Sequence, residues 1–220
     1  MKGLEIKDLS ISVGNRVIIH NLSVSFRDGQ IYALVGRNGS GKSTLLNTIM
    51  GAPDYHLTTG GITLDGNNLA DLTTNERAQR GLFLAMQYSV EVAGVSYADF
   101  LRVALTRLHQ SKPNMAEVLT ELQANARSLN FPDFDYHRDL NAGFSGGEKK
   151  KSEILQMLAI KPRFALLDEP DSGLDTDSVH KLADILSHLS YPTTLIITSH
   201  NRQLIDSLHP TAVYDMEKLQ

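Results

Sequence analysis

Gly36-Arg37-Asn38-Gly39-Ser40-Gly41-Lys42-Ser43-Thr44 is the stretch on which the reading of this chain turns. It follows a short continuous apolar run, Ile31-Tyr32-Ala33-Leu34-Val35, of the kind that forms a strand buried on both faces. It opens a segment in which Leu45, Leu46, Ile49 and Met50 recur on one helical face. A glycine-rich turn between a buried strand and a helix N-terminus is the setting of a phosphate-binding loop, and Gly36 to Ser43 match G-x-x-x-x-G-K-[ST] in full. The glycines let backbone N–H groups point inward and approach a polyphosphate closely. The helix that starts there adds unpaired N–H groups and a positive dipole end. Lys42 is placed to meet β- and γ-phosphates, and the Ser43 hydroxyl suits Mg²⁺. A Gly/Ser-rich surface loop with an incidental lysine is the alternative. The flanking strand and helix weigh against it.

At 220 residues the chain is long enough for one substantial α/β domain with an inserted lobe. No apolar run approaches the 18 or more residues that span a bilayer, and Met1-Lys2-Gly3-Leu4-Glu5 lacks the apolar core of a signal peptide, so the expected location is cytoplasmic. There are no cysteines, hence no disulfide framework and no thiolate metal site. A net charge of −4 leaves no electrostatic footprint for nucleic acid. Lys149-Lys150-Lys151 is the basic run, and its ordinary reading is a solvated helix face.

Along the chain, Leu9, Ile11 and Val13, then Leu22, Val24 and Phe26, alternate with polar residues, which predicts antiparallel strands within 4–26 joined at Gly14-Asn15. Residues 51–80 read as loop with a brief strand. Leu82–Met86 reads as a buried strand ending at Gln87. Helical faces then recur over 97–108 and 115–129, separated by Pro113, as an insertion between two strand-bearing halves. After residue 145 the alternation of helix and strand returns: helix 147–160, strand 164–167, helix 177–189, strand 193–198. Strands alternating with helices imply a parallel sheet, whose ligands sit at the carboxyl ends of its strands.

Each of those strand ends carries a group suited to phosphate chemistry: the phosphate loop, Gln87, Asp168-Glu169 and Ser199-His200. In a parallel sheet they converge on one edge. An aspartate after four apolar residues can hold Mg²⁺, and the glutamate after it suits a general base for an attacking water. Taken singly, Asp168-Glu169 reads equally as a capping pair, His200 as a structural histidine and Gln87 as an ordinary strand-end amide. Ser145-Gly146-Gly147-Glu148 opens a helix as a capping box, and its glycines also suit a second phosphate-facing helix N-terminus.

Over its whole length the chain resembles the ATP-binding cassette family. The loop GRNGSGKST, the Gln87 loop, the signature SGGEK at 145–149, FALLDEP at 164–170, the loop Ser172-Gly173-Leu174-Asp175 and the switch His200 occur in the family's order and spacing. The resemblance implies an α/β fold. It has a P-loop NTPase core with a mixed sheet at 31–89 and 146–220, an antiparallel β lobe to which 1–30 contributes, and an inserted helical lobe at 90–145. It implies a Mg²⁺-dependent ATPase that takes ATP. Lys42, Gln87, Glu169 and His200 would be catalytic, Gly36 to Thr44 would bind ATP, and Ser43, Gln87 and Asp168 would serve Mg²⁺. It further implies a transient head-to-tail homodimer in which Ser145, Gly146, Gly147 and Glu148 of one subunit face the γ-phosphate held by Lys42 of the other, with Ser172 to Asp175 beside them. No aromatic occupies the segment near Val13, where many members stack adenine, so Val13 or Val17 would supply only apolar contact. Lys151 stands where arginine is usual.

A narrower likeness is to the SufC ATPases of SUF iron–sulfur cluster assembly. It rests on residues 84–96, on Arg138 to Lys150 with Glu153-Ile154-Leu155-Gln156-Met157, and on Leu167 to Asp175, where transporter subunits usually carry Thr-Ser-Ala after the glutamate. This likeness implies SufB/SufD-type scaffold partners near the Gln87 loop and the helical lobe, with the cluster held by the partner. The alternative is the nucleotide-binding subunit of a membrane transporter. A nucleic-acid-linked ATPase is disfavoured by the net charge and the short helical insertion.

Overall fold

The computed structural model describes residues 3–219; Met1 and Lys2 of the N-terminal stretch, and Gln220, lie outside the described residues. The first half of the chain runs β1 (Gly3–Val13), β2 (Arg16–Arg27), β3 (Ile31–Val35), α1 (Lys42–Met50), β4 (Tyr55–Leu64), β5 (Asn67–Asn68), α2 (Thr74–Gln79) and β6 (Leu82–Ala85). It continues through β7 (Val92–Ser96), α3 (Tyr97–His109), α4 (Met115–Ser128), β8 (Asp139–Leu140) and α5 (Gly146–Ile160). The last part is β9 (Phe164–Asp168), α6 (Thr176–Ser187), β10 (Thr194–Thr198), α7 (Arg202–Leu208) and β11 (Ala212–Asp215).

Parallel and antiparallel strands are divided between sheets. The hairpin β1–β2 turns at Gly14-Asn15 with Val13 opposite Arg16, and β4 and β5 extend it into a four-stranded antiparallel sheet ordered β2-β1-β4-β5. The second sheet has five strands in the order β11-β3-β10-β9-β6, and all four of its pairings are parallel. Its central strands β9 and β10 are buried along their whole length, as continuous apolar runs require. Strand alternation splits their side chains between two cores. Leu166 and Ile196 pack with α1 and the antiparallel sheet. Leu167, Leu195 and Ile197 pack with α5, α6 and the helical insertion. The site-bearing edge is thus clamped between two cores rather than resting on one.

The helical insertion docks through aromatic residues. The Tyr97 hydroxyl donates to the Ser152 carbonyl at 2.8 Å. Its ring meets Phe134 edge-on at 4.8 Å, and Phe131 packs on both Phe134 and Phe144. The insertion also carries strands: β7 and β8 pair antiparallel across it.

Residues 51–80 are more ordered than their sequence predicts, for two reasons. Gly60 and Gly61 interrupt the alternation of β4, which hides a ten-residue strand. Helix α2 sets only Ala78 of its apolar side chains against the core; it starts on a Thr73–Glu76 capping box and its buried residue is Arg77. Arg77 is 3% exposed, and its guanidinium donates to the carbonyls of Thr48 (2.7 Å), Ile49 (2.9 Å) and Leu72 (2.9 Å). It satisfies the carbonyl end of α1 with a positive charge, the favourable sign at a helix C-terminus.

The basic run is likewise not a solvated face. Lys150 is 5% exposed, and its Nζ donates to the carbonyls of Met86 (2.7 Å) and Asp168 (3.0 Å). Lys149 pairs with Glu91 at 2.6 Å, and Lys151 donates to the Asn130 carbonyl at 2.9 Å. Three consecutive helix positions point in three directions, and each lysine has a protein neighbour.

Candidate nucleotide site

The carboxyl ends of β3, β6, β9 and β10 meet the start of α1 at a cavity of about 500 Å³. It is lined by Arg16, Ile18, Asn38, Gly39, Gly41, Lys42, Ser43, Thr44, Gln87, Glu169 and His200. Gly41, at φ 93°, turns the loop into α1, and no side chain caps that helix. A residue with a Cβ is strained there, and the uncapped start leaves the first amides of α1 for an anion. Lys42 lies along the loop with Nζ donating to the carbonyls of Gly36 (2.8 Å) and Arg37 (3.0 Å). Burial pulls its pKa down, against the opposing pull of Glu169, Asp168 and Glu217.

Asp168, at the end of β9, is 1% exposed. Its Oδ1 accepts from the Ser43 hydroxyl at 3.1 Å and from the Thr198 hydroxyl at 2.7 Å, while Oδ2 is buried with no hydrogen-bond partner among the described residues. A buried carboxylate oxygen left unpaired beside a serine hydroxyl and an open anion cradle is costly unless a cation is near. These residues fit a divalent ion held between Ser43, Asp168 and a polyphosphate.

Glu169 is where the other strand ends meet. Its backbone sits in the left-handed region at φ 49°, held by its N–H donating to the Thr198 hydroxyl (3.0 Å) and carbonyl (3.2 Å). In that conformation one carboxylate oxygen accepts from the Gln87 amide at 3.4 Å. The other lies 3.6 Å from His200 Nε2. Gln87 and His200, each unremarkable alone, therefore converge on a single carboxylate that opens to the cavity. A carboxylate flanked by an amide and an imidazole, one residue from a metal-suited aspartate, can take a proton from a water between them.

Ser145 to Glu148 stand elsewhere. Ser145 caps α5: its Oγ accepts from the Glu148 N–H at 3.3 Å, and its own N–H donates to the Glu148 carboxylate at 2.7 Å. Gly147 lies against Gly173, where a Cβ would stand 2.8 Å from the Gly173 carbonyl. Asp175 caps α6 by accepting from the Ser178 N–H at 2.9 Å. Neither 145–148 nor 172–175 lines the cavity. Gly36 faces an adjoining hollow beside Ser199, His200 and Arg202, and Arg37 and Ser40 also lie outside the main cavity's lining.

Thr198 and Lys150 escaped the sequence reading. Thr198, fully buried, bridges the two neighbouring carboxyl residues; its signal is a hydroxyl as the last residue of an otherwise apolar run. Lys150 ties the backbone at Met86 to the backbone at Asp168 from α5, and inside a lysine triplet nothing marks it. At the hairpin, Val13 and Val17 are 37% and 39% exposed and do not line the cavity; Arg16 and Ile18 do. The register explains this, since side chains one residue apart on β2 face opposite ways.

Residues 19–172 match the family model described as ABC transporter. A "Probable ABC transporter ATP-binding protein" of Streptococcus pyogenes serotype M3 is 40% identical over 219 residues, 98% of this chain and 86% of the relative. A "Probable ATP-dependent transporter ycf16" of Antithamnion sp. is 37% identical over 220 residues, covering 98% and 88%. Among solved structures, the chain is similar to an ATP-binding subunit of an ABC transporter with a TM-score of 0.76 and 26% identity, over 90% of this chain and 80% of the other. With the nucleotide-type cavity at the sheet edge, these matches place the chain: it belongs to the ABC transporter family, as an ATP-binding cassette.

Proposed function

We propose that the chain hydrolyses Mg²⁺-bound ATP at a site shared by two copies, and that it does so as the ATPase subunit of a SufBCD-like scaffold for iron–sulfur cluster assembly. The convergence of Gln87 and His200 on Glu169, beside the Ser43–Asp168 pair, carries the first part. Residues Gly36 to Thr44 hold the phosphates, with the Lys42 ammonium and the α1 amides supplying the positive field. Ser43 and Asp168 would hold Mg²⁺, with Gln87 beside them, and the bound ion would supply positive charge against the phosphates. Glu169 accepts the proton of the attacking water, and Gln87 and His200 orient that carboxylate and the γ-phosphate. By the resemblance to ATP-binding cassettes, Ser145, Gly146, Gly147 and Glu148, which do not line their own copy's cavity, face the site of a second copy, with the 172–175 segment alongside.

The scaffold reading draws on the SufC-like stretches, which fold into one unit. Asn141 donates to the Val90 carbonyl at 2.9 Å and accepts from the Ser152 hydroxyl at 2.6 Å. Asp139 accepts from the Gly94 N–H at 2.9 Å, and Lys149 reaches Glu91. That unit presents Met86, Tyr88, Val90 and Val95 to solvent, with Tyr88 82% exposed. Apolar side chains exposed along one short segment suit a partner surface. A scaffold protein docking there would feel any movement of Gln87. The names of the transporter relatives favour the second reading, a transporter's nucleotide-binding subunit. No helix among the described residues is long and apolar enough to cross a membrane, which both readings allow. Purification of the tagged chain from its host separates them. Recovery without detergent of a cysteine-bearing partner that binds iron and sulfide supports the scaffold reading. A partner released only by detergent refutes it.

A further inference from the structure

The segment beyond α7 grips the loop at Gly36 and Arg37, the residues whose carbonyls Lys42 holds. Strand β11 runs parallel to β3 and sets Asp215 beside Val35, the last residue before the loop. The Met216 N–H donates to the Val35 carbonyl at 2.9 Å, and the fully buried Met216 side chain lies 3.5 Å from where a Cβ on Gly36 would stand. Asp215 Oδ1 accepts from the Glu217 N–H at 3.1 Å, forming a turn that aims the next side chain back at the loop. Glu217 Oε1 then accepts from the Arg37 N–H at 2.9 Å. Lys42 holds the carbonyls of the same two residues, Gly36 and Arg37. Two consecutive peptide units are thus fixed by two side chains, Glu217 at the Arg37 N–H and Lys42 at the Gly36 and Arg37 carbonyls.

We infer that Glu217 is a positioning residue for the phosphate loop, holding the Arg37 amide so that the following amides are set for phosphate before nucleotide arrives. The inference rests on the reading of Gly36 to Thr44 as that loop. The hydrogen bond, not the charge, is the working element. A carboxylate beside a polyphosphate is electrostatically unfavourable, and the contact to the exposed Arg37 guanidinium, at 4.0 Å, adds little.

The full chain and its Glu217→Ala, Glu217→Gln and Lys42→Ala variants are titrated with Mg²⁺-ADP, and backbone exchange at Arg37 is followed without nucleotide. Losing this hydrogen bond predicts roughly five- to tenfold weaker ADP binding for Glu217→Ala, faster exchange of the Arg37 amide and a melting temperature lower by only a few degrees. Its KM for ATP rises while kcat holds. Glu217→Gln keeps an acceptor oxygen and stays within about twofold of the parent on every measure. Parent-like ADP affinity in Glu217→Ala, alongside lost binding in Lys42→Ala, overturns the inference alone. Parent-like binding in Lys42→Ala removes the phosphate-loop reading and the inference with it. Equal weakening in Glu217→Ala and Glu217→Gln also overturns it, because charge would then be the cause.

Discussion

Replacing Lys150 with methionine tests the one place where the structure reverses the ordinary reading of a charge run. Lys150 is 5% exposed and its Nζ sits 3.8 Å from the carboxylate of Glu153, itself 4% exposed, which at an effective dielectric near 20 amounts to about 4 kcal/mol of attraction. Desolvation offsets much of that in the intact pair: burial pulls the Lys150 pKa down and pushes that of Glu153 up. Removing one partner leaves the other's burial uncompensated, a change that costs roughly 3–5 kcal/mol. The carbonyls of Met86 and Asp168 lose their donor as well, and methionine fills the volume, so no cavity contributes. At about 4 kcal/mol, and roughly 2–4 °C per kcal/mol for a chain this size, Lys150→Met lowers Tm by about 8–16 °C. Urea melts should show a lower midpoint with an unchanged slope. The pH dependence has a definite sign. A carboxyl whose folded pKa lies above its unfolded value favours the folded state when protonated, and loss of Lys150 raises Glu153 further. The deficit therefore shrinks as pH falls from neutrality toward the raised Glu153 value, and Glu153→Gln in the Lys150→Met background restores part of it. A loss under about 1 kcal/mol at neutral pH, unchanged by acid and by Glu153→Gln, would mean that Lys150 is solvated, and would refute the reasoning.

Lys42→Ala should abolish measurable Mg²⁺-ATP binding by calorimetry while circular dichroism stays unchanged; near-parental affinity removes its assigned role. Glu169→Gln should bind ATP, lose roughly 10²- to 10⁴-fold in turnover and accumulate as a dimer on size exclusion, and undiminished phosphate release would exclude it as the base. Ser145→Arg should bind ADP normally yet fail to dimerise with ATP, at a capping cost of about 1 kcal/mol; ATP-dependent dimers in this variant would place the second copy's contact elsewhere. The hydrogen bond from the Ser145 N–H holds the Glu148 pKa below its ordinary 4.5, so its stabilisation is present above that value and is lost as pH falls through the lowered one. Melts of the parent and Glu148→Gln should accordingly differ at pH 7 and converge in acid, and a constant gap would contradict the capping box.

The loop, the strand-end carboxylates and the parallel alternation were legible because each is written in contiguous residues: a buried strand needs an unbroken apolar run, and a phosphate cradle needs glycines at set spacing. What escaped reading depends on partners distant in sequence. Arg77 and Lys150 are charged side chains that the fold buries against backbone carbonyls, and periodicity scores them as solvent-facing. Thr198 gains its role from Asp168 and Glu169, 30 and 29 residues away, through a strand pairing that no local pattern encodes. Residues 212–217 carry no motif, and β11 is short and half-exposed; only pairing with β3 makes Met216 and Glu217 neighbours of the loop. The common physical cause is that hydrophobic burial fixes which strands align, and alignment then decides which polar groups meet. Contiguous motifs name the atoms that would face the nucleotide. The groups that hold those atoms still come from strands and helices that the motif does not contain, so the loop by itself underdetermines its own geometry.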